Sequence, residues 1–387
     1  MQRKGNLIAR GSQTEKLVTV GIDMGGSLWA TAIHDWTTGH DSYFAYRNKD
    51  DICKEERLYD KIRELLANDC HVQVFYEAGR YGYAPARIMK GLGADVSILP
   101  VNKLKVIMCG KVIKTDRLDA QFLAGLHPED KLPEVYIPTL EEEGRRDAER
   151  ELIRLRKSTG RVNAQLLAII ERSELKTPKG HLAARVWQRQ IVSWHKSGEL
   201  AKLPRLMALR LKNMLEELQM TEKHQKEWED IIDCQMKQDR LNARKKQEQT
   251  VIDKLKKFRG IGDAIARHFV WEIGDFSRFK NGKQFSSYFG MTPCPFSSGT
   301  TKREQGISKF GRNSLRKMAV EMAWLWCKWQ PESHLSQKWK TMLDQKGRAR
   351  RTAIVAMARQ LLVALWRNIV HNEPVAGTII NKPLKTI

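Results

Sequence analysis

Cysteine is scarce and scattered. Six residues (Cys53, Cys70, Cys109, Cys234, Cys294 and Cys327) are spread over 387, with no C-x-x-C pair. This excludes a disulfide framework and a structural zinc site, and it fits a reduced, cytoplasmic protein. No apolar signal core follows the basic start Met1-Gln2-Arg3-Lys4-Gly5. The greasiest late stretch, Ala353 to Trp366, is interrupted by Arg359 and Gln360, so no membrane-spanning helix is expected. A G-x-x-x-x-G-K-[ST] loop is missing, which removes the commonest ATP-binding motif. There is no internal repeat and no low-complexity segment. Acidic residues are also short in supply: 45 Asp and Glu face 68 Lys and Arg, a formal charge of +23 with a pI near 9.8. Such an excess attracts polyanions, nucleic acid first and a membrane surface second.

Apolar residues make up 41% of the chain, enough for real cores, and the length suits two or three domains. Residues 1–15 read as a loose basic tail. Buried strands are expected at Leu17–Ile22, Leu28–Ile33, Ser42–Tyr46, Val72–Tyr76 and Val96–Leu99. Helices are expected over Asp51–Leu66, with Leu58, Ile62 and Leu65 at helical spacing, and over Tyr83–Leu92. A further helix is expected from about Lys103, with Asp116 and Asp119 well inside it. Three strands followed by alternating helix and strand predict a mixed α/β sheet.

Two acids close predicted strands. Asp23 ends Leu17–Ile22, and Glu77 ends Val72–Tyr76. Asp116 and Asp119, three apart, share one helix face. An isolated D-x-x-D is usually just an exposed helix face. Charges at the ends of buried strands are uncommon without a partner, because an unpaired buried charge is costly. Four such acids in order make a candidate site for a hard divalent cation, Mg²⁺ or Mn²⁺. The element order resembles the RNase H-like fold in its RuvC-like form, where acids close the first and fourth strands and the rest sit on a later helix.

From Pro138 to Lys257 the chain turns charged and helical. Leu155, Val162, Leu166 and Ile169 follow a near-heptad spacing, as do Met207, Leu211, Met214, Leu218, Trp228 and Ile232. Two long helices in an antiparallel hairpin, docking a partner subunit, are expected. Between them lie Lys176-Thr177-Pro178-Lys179-Gly180 and a segment with Trp187 and Trp194. This segment is either a basic aromatic surface for nucleic acid or a solvated connector with two packed tryptophans. Phe258-Arg259-Gly260-Ile261-Gly262 has the Gly-x-Gly form of a helix-hairpin-helix turn, which can offer backbone N–H groups of Gly260 to Gly262 to a phosphate. A plain helix–helix turn has the same look. Residues 290–309 read as loop or short strand, followed by helices from Ser314 to Trp329 and from Arg351 to His371. Between Gly299 and Arg351, thirteen Lys and Arg meet four Asp and Glu. Of these, Arg303, Lys309, Arg312, Arg316 and Lys317 gather around one loop and helix start, which suits phosphate contacts.

Taken together, the motifs resemble the DEDD transposases of a bacterial insertion-sequence family, the bridge-RNA-guided recombinases. The likeness rests on Gly21-Ile22-Asp23, Tyr76-Glu77-Ala78-Gly79, Lys114-Thr115-Asp116-Arg117-Leu118-Asp119-Ala120, Gly260-Ile261-Gly262 and Phe289-Gly290-Met291-Thr292-Pro293. It continues through Ser297-Ser298-Gly299 and Gly306-Ile307-Ser308-Lys309-Phe310-Gly311-Arg312-Asn313-Ser314-Leu315-Arg316. The resemblance spans about residues 17 to 330, although segment 176–199 is longer than in compact relatives. It implies a RuvC-like metal-binding domain (1–137), a coiled-coil-like helical linker (138–257) and a mainly α transposase domain (258–387). In it, Asp23, Glu77, Asp116 and Asp119 hold Mg²⁺ or Mn²⁺, and Ser298 is the nucleophile. Ser297 lies one residue away, and Cys294 is a weaker candidate. The resemblance further implies cutting and rejoining of donor and target DNA through a phosphoserine link, with a guide (bridge) RNA. The protein would act as a homodimer or homotetramer in the bacterial cytoplasm, at the nucleoid and away from the membrane. Two other functions fit parts of the same sequence: a RuvC-like metal-dependent endonuclease or junction resolvase using water, and a nucleic-acid-binding protein with an inactive site.

Overall fold

A computed structural model describes residues 16–49, 52–100, 115–130, 132–173, 184–245, 250–298, 301–344 and 350–381. The expected basic tail, the helix expected from Lys103 as far as Lys114, the Lys176–Gly180 connector and Gly299 lie outside these residues. The chain forms two compact units, 1–139 and 140–387.

The first unit is built on a five-stranded sheet in the order β3-β2-β1-β4-β5. Its strands are β1 (Lys16–Met24), β2 (Leu28–Asp35), β3 (Asp41–Arg47), β4 (Cys70–Glu77) and β5 (Asp95–Leu99). β1, β2 and β3 form an antiparallel meander, and β4 and β5 add in parallel to β1. Helices α1 (Lys54–Ala67) and α2 (Ala84–Leu92) supply the crossovers. The strands read as apolar runs because both faces are covered. Val18, Val20 and Ile22 of β1 share one core with Val72, Val74 and Tyr76 of β4 and with Leu58 and Met89 of the two crossover helices. The opposite face receives α3 (Asp116–Ala124). There Phe75 and Leu99 meet Leu123, while Ala30 and Ala32 meet Ala120 and Ala124.

Two sequence expectations are corrected here. β1 continues through Asp23 to Met24, so Asp23 lies inside the strand. Helix α3 begins at Asp116, with the Thr115 hydroxyl accepting from the Leu118 amide, so Asp116 and Asp119 occupy the first turn. The Thr cap followed by acids was a helix-start signal legible in the sequence.

The second unit opens with two long helices, α4 (Leu140–Ile170) and α6 (Arg205–Lys245). The ion pairs Arg145–Asp239, Arg156–Glu229 and Arg161–Glu217 run in opposite chain directions, so the pair is antiparallel as expected. The heptad residues Val162, Leu166 and Ile169 pack on Leu211, Met214 and Leu218. Trp194 of α5 (Ala184–Lys196) closes the same seam, which favours the packed-tryptophan reading for that residue. The remainder is a helical bundle with one hairpin: α7 (Val251–Lys256), α8 (Asp263–Ile273), α9 (Gly282–Tyr288), β6 (Pro293–Ser298), β7 (Thr301–Ile307), α10 (Asn313–Trp329), α11 (His334–Asp344) and α12 (Arg350–His371). By length and composition α12 is apolar enough to cross a membrane. In the bundle its Ile354, Met357, Leu361, Leu365 and Trp366 are core side chains packed with those of α8, α9 and α10.

Candidate functional site

The acids of the first unit are brought together by register. The last β1–β4 pair is Ile22 with Tyr76, both on the α1/α2 face. One residue further on, Asp23 and Glu77 stand side by side on neighbouring parallel strands, turned to the α3 face by the two-residue period. Both line a cleft of about 170 Å³ with Met24 and the loop Ala78–Gly82.

Helix α3 lies directly on β1. The Thr19 hydroxyl donates to the Ala124 carbonyl. A Cβ on Gly21 would sit 2.2 Å from the Ala120 carbonyl oxygen and 2.3 Å from the Ala124 amide nitrogen. Only a glycine admits a helix backbone this close. Helix and strand therefore run in opposite directions. One helical turn back from Ala120 advances about as far as two strand residues on from Gly21. That places the first turn of α3, with Asp116 and Asp119, at the Asp23 end of β1. Asp119 is 8% exposed, whereas Asp116 is exposed. Like charges at close range need a cation or spacing. Among the described residues, no three acids, histidines or cysteines are gathered tightly enough to enclose a metal ion. Asp23 and Glu77, the two acids that line the cleft, are carboxylates, the hard ligand type that Mg²⁺ or Mn²⁺ takes.

Residues that sequence reading missed frame this cleft. Lys54, 4% exposed at the start of α1, donates to the carbonyls of Gly25 and Gly26 and to the Tyr81 hydroxyl. Arg80 reaches the Gly26 turn and stacks on the Tyr81 ring at 5.2 Å. Burial would raise the Tyr81 hydroxyl, but the Lys54 ammonium bonded to it holds it below the ordinary tyrosine value. No periodicity marks a lysine at a helix start as buried, so the sequence carried no signal for it.

In the second unit, Ser298 ends β6 and pairs with Thr301, the first residue of β7, at the tip of the antiparallel hairpin. Cys294 lies near the start of the same strand and is a free thiol. Arg303 lies on β7. Lys309, Arg312, Arg316 and Lys317 follow, and the structure sorts them. Arg316 donates to the carbonyls of Lys309 and Gly311 at 2.9 Å each, and Arg312 pairs with the buried Glu272 of α8. Lys309 and Lys317 are exposed. The loop is tightly built: a Cβ on Gly290 would meet the Phe310 carbonyl at 1.9 Å. The Gly-x-Gly segment is a turn between α7 and α8, with Gly260 at φ +99° and Gly262 capping α8. Gln330, fully buried, ties the Arg259 carbonyl of this turn to that of Ile379.

The first unit thus carries acids at adjoining strand ends, and the second carries a hairpin with Ser298 at its tip and a Gly-x-Gly turn. Residues 252–338 match the model of the "Transposase IS116/IS110/IS902 family". The matched segment contains the turn, the hairpin and α10. The chain is similar to a putative transposase of Sinorhizobium fredii, 27% identical over 320 residues and 80% of each chain. It is also similar to the transposase for insertion sequence element IS1533 of Leptospira borgpetersenii, 24% identical over 72% of this chain and 79% of that one. A pilin gene-inverting protein of Moraxella bovis shares 30% identity over 116 residues, 30% of this chain and 35% of that protein. Within residues 252–338 the chain is thus similar to the IS116/IS110/IS902 transposase family, and along most of its length to proteins named as transposases.

Proposed function

We propose that this protein is a transposase that recombines DNA by serine attack in an RNase H-like, metal-assisted site, directed to its targets by a guide RNA. The observation that carries the reading is the register that sets Asp23 beside Glu77, with the first turn of α3 over the same strand end. The strand order β3-β2-β1-β4-β5 supports the RNase H-like reading. The carboxylates of Asp23, Glu77, Asp116 and Asp119 would hold Mg²⁺ or Mn²⁺, which when bound neutralises charge on a scissile phosphate. Ser298 Oγ forms an ester to phosphorus while the bond from phosphorus to one deoxyribose oxygen breaks. The serine proton leaves, and the departing oxygen takes one up. A second DNA hydroxyl reverses the exchange. Because the phosphodiester energy is kept, no ATP site is needed. Ser298 stands at the hairpin tip, and the exposed Lys309 and Lys317 add positive charge to the same unit.

Ser298→Ala tests this directly. Strand exchange should fall by orders of magnitude, as with other nucleophile deletions, while DNA binding stays within about twofold. Trapping wild type on a substrate that cannot rejoin should give a DNA-linked peptide ending the search at Ser298 by mass. An active Ser298→Ala protein that leaves hydrolysed ends would transfer the assignment to the nuclease reading. RNA guidance rests on the family likeness and the basic excess. A discrete structured RNA should copurify, and RNA-stripped protein that recombines at full rate would remove that part of the proposal.

A further inference from the structure

The two loops that leave the Asp23 and Glu77 strand ends are joined by a buried clip. Lys54 is almost fully buried, yet among the described residues no carboxylate pairs with it. Its ammonium has three N–H donors, and the structure provides three acceptors. Two are the carbonyls of Gly25 and Gly26, the turn immediately after Asp23 and Met24. The third is the Tyr81 hydroxyl, from the loop immediately after Glu77, at 3.1 Å. Tyr81 in turn donates to the Gly25 carbonyl at 2.8 Å, closing the network. The Tyr81 ring packs edge-on against the fully buried Trp29, with centroids 5.0 Å apart, and Lys54 Nζ lies 5.4 Å from the Tyr81 ring centre. A buried ammonium is costly unless fully hydrogen-bonded. This one is satisfied only while both loops keep their places.

We infer that Lys54 and Tyr81 are positioning residues that hold the Asp23 and Glu77 strand ends in a fixed relation for divalent-cation binding. The inference rests on the reading of Asp23 and Glu77 as cation ligands. Tyr81 lines the cleft that both acids border, and its hydroxyl, bonded to the Gly25 carbonyl, acts through the backbone that follows Asp23. Groups that orient metal ligands commonly change affinity by about 10–100-fold when removed.

The test uses the full-length protein and Mn²⁺ alone, with free Mn²⁺ measured by electron paramagnetic resonance. Tyr81→Phe removes one oxygen and leaves the ring on Trp29, so folding should persist. The expected result is an affinity for Mn²⁺ weakened about tenfold with an unchanged number of sites. Lys54→Met should weaken it at least as much, and if that variant fails to fold, Tyr81→Phe alone decides. Asp23→Asn and Glu77→Gln serve as references. If they abolish binding while Tyr81→Phe binds as wild type, the clip has no positioning role and the inference falls by itself. A lowered melting temperature with unchanged Mn²⁺ affinity overturns it in the same way. If the two reference variants bind Mn²⁺ normally, the acids are not the ligands, and the reading beneath the inference falls first.

Discussion

Gly21 is the residue on which the first-unit site turns. Its missing side chain lets the Ala120 carbonyl and the Ala124 amide settle onto β1, which carries the Asp116–Asp119 turn to the Asp23 end of the strand. The single methyl of Gly21→Ala would meet backbone on two sides rather than a yielding side-chain tip. Overpacking of this kind costs about 1–3 kcal/mol, and α3 would have to lift from the sheet. The expected outcome is a lower melting temperature for the first unit and a loss of strand exchange beyond what the stability change explains. A Gly21→Ala protein with wild-type exchange would show that α3 does not need this seat. A Cβ on Gly25 would meet the Leu28 carbonyl oxygen at 2.6 Å, and Gly39 has φ +70°, so both make poorer controls than the open, ordinary-φ helix position Gly144. Gly144→Ala should be neutral or slightly stabilising in the same assays.

At the scale of elements, α4 and α8 are joined by buried ion pairs. Arg267 and His268 of α8 face Glu149 of α4, and Arg150 of α4 reaches Glu272 of α8, which also takes Arg312 from the loop after the hairpin. Burial would raise the Glu149 carboxyl, but bonds from His268 and Arg267 outweigh it and hold it below the ordinary glutamate value of 4.5. Glu272 is lowered against the same penalty by Arg150 and Arg312. A depressed carboxylate contributes stability that is complete above its unfolded value and lost as pH falls through its folded one. The second unit should therefore keep its melting temperature from pH 7 to about 5 and lose it progressively below 4.5. Glu149→Gln leaves Arg267 buried without its counter-charge, at a cost of about 3 kcal/mol near pH 7. Urea unfolding of variant and wild type should converge as the pH is lowered, because wild type loses the same charge. A gap that stays constant down to pH 3 would mean that the pair contributes through packing rather than charge.

For the whole molecule the governing quantity is charge. On the proposed reading, a formal +23 would serve many DNA phosphate contacts, each releasing a counterion. With six or more contacts, DNA affinity should fall by about 10³-fold or more between roughly 50 and 200 mM salt. Fluorescence anisotropy over that range reads the slope directly. Lys309→Ala and Lys317→Ala should each flatten it by about one contact. Arg312→Ala and Arg316→Ala should instead lower thermal stability, because their guanidinium groups bond Glu272 and the carbonyls of Lys309 and Gly311. A slope near zero would make the basic excess incidental to DNA binding.

What the sequence determined by itself is what short-range physics controls. Apolar runs marked all five strands of the first unit. Heptad spacing marked the antiparallel helix pair, and the Val162, Leu166 and Ile169 seam is closed by Leu211, Met214 and Leu218 of the same chain. The order of acids along the chain singles out Asp23 and Glu77. Boundaries were less legible: Asp23 falls inside β1, and the Asp116 helix starts at a Thr115 cap instead of twelve residues earlier. Only the tertiary structure decided which parts stand together. Strand register between residues more than fifty apart put Asp23 next to Glu77, and it depends on the pairing of whole strands rather than on either local run. The close seat of α3 depends on Gly21 meeting a helix a hundred residues away. Lys54 is buried because two distant loops converge on its ammonium, and Arg312 is turned inward because Glu272 waits for it on another helix. Long-range contacts of this kind leave no period in the sequence, so a charged residue destined for the interior reads the same as one destined for solvent.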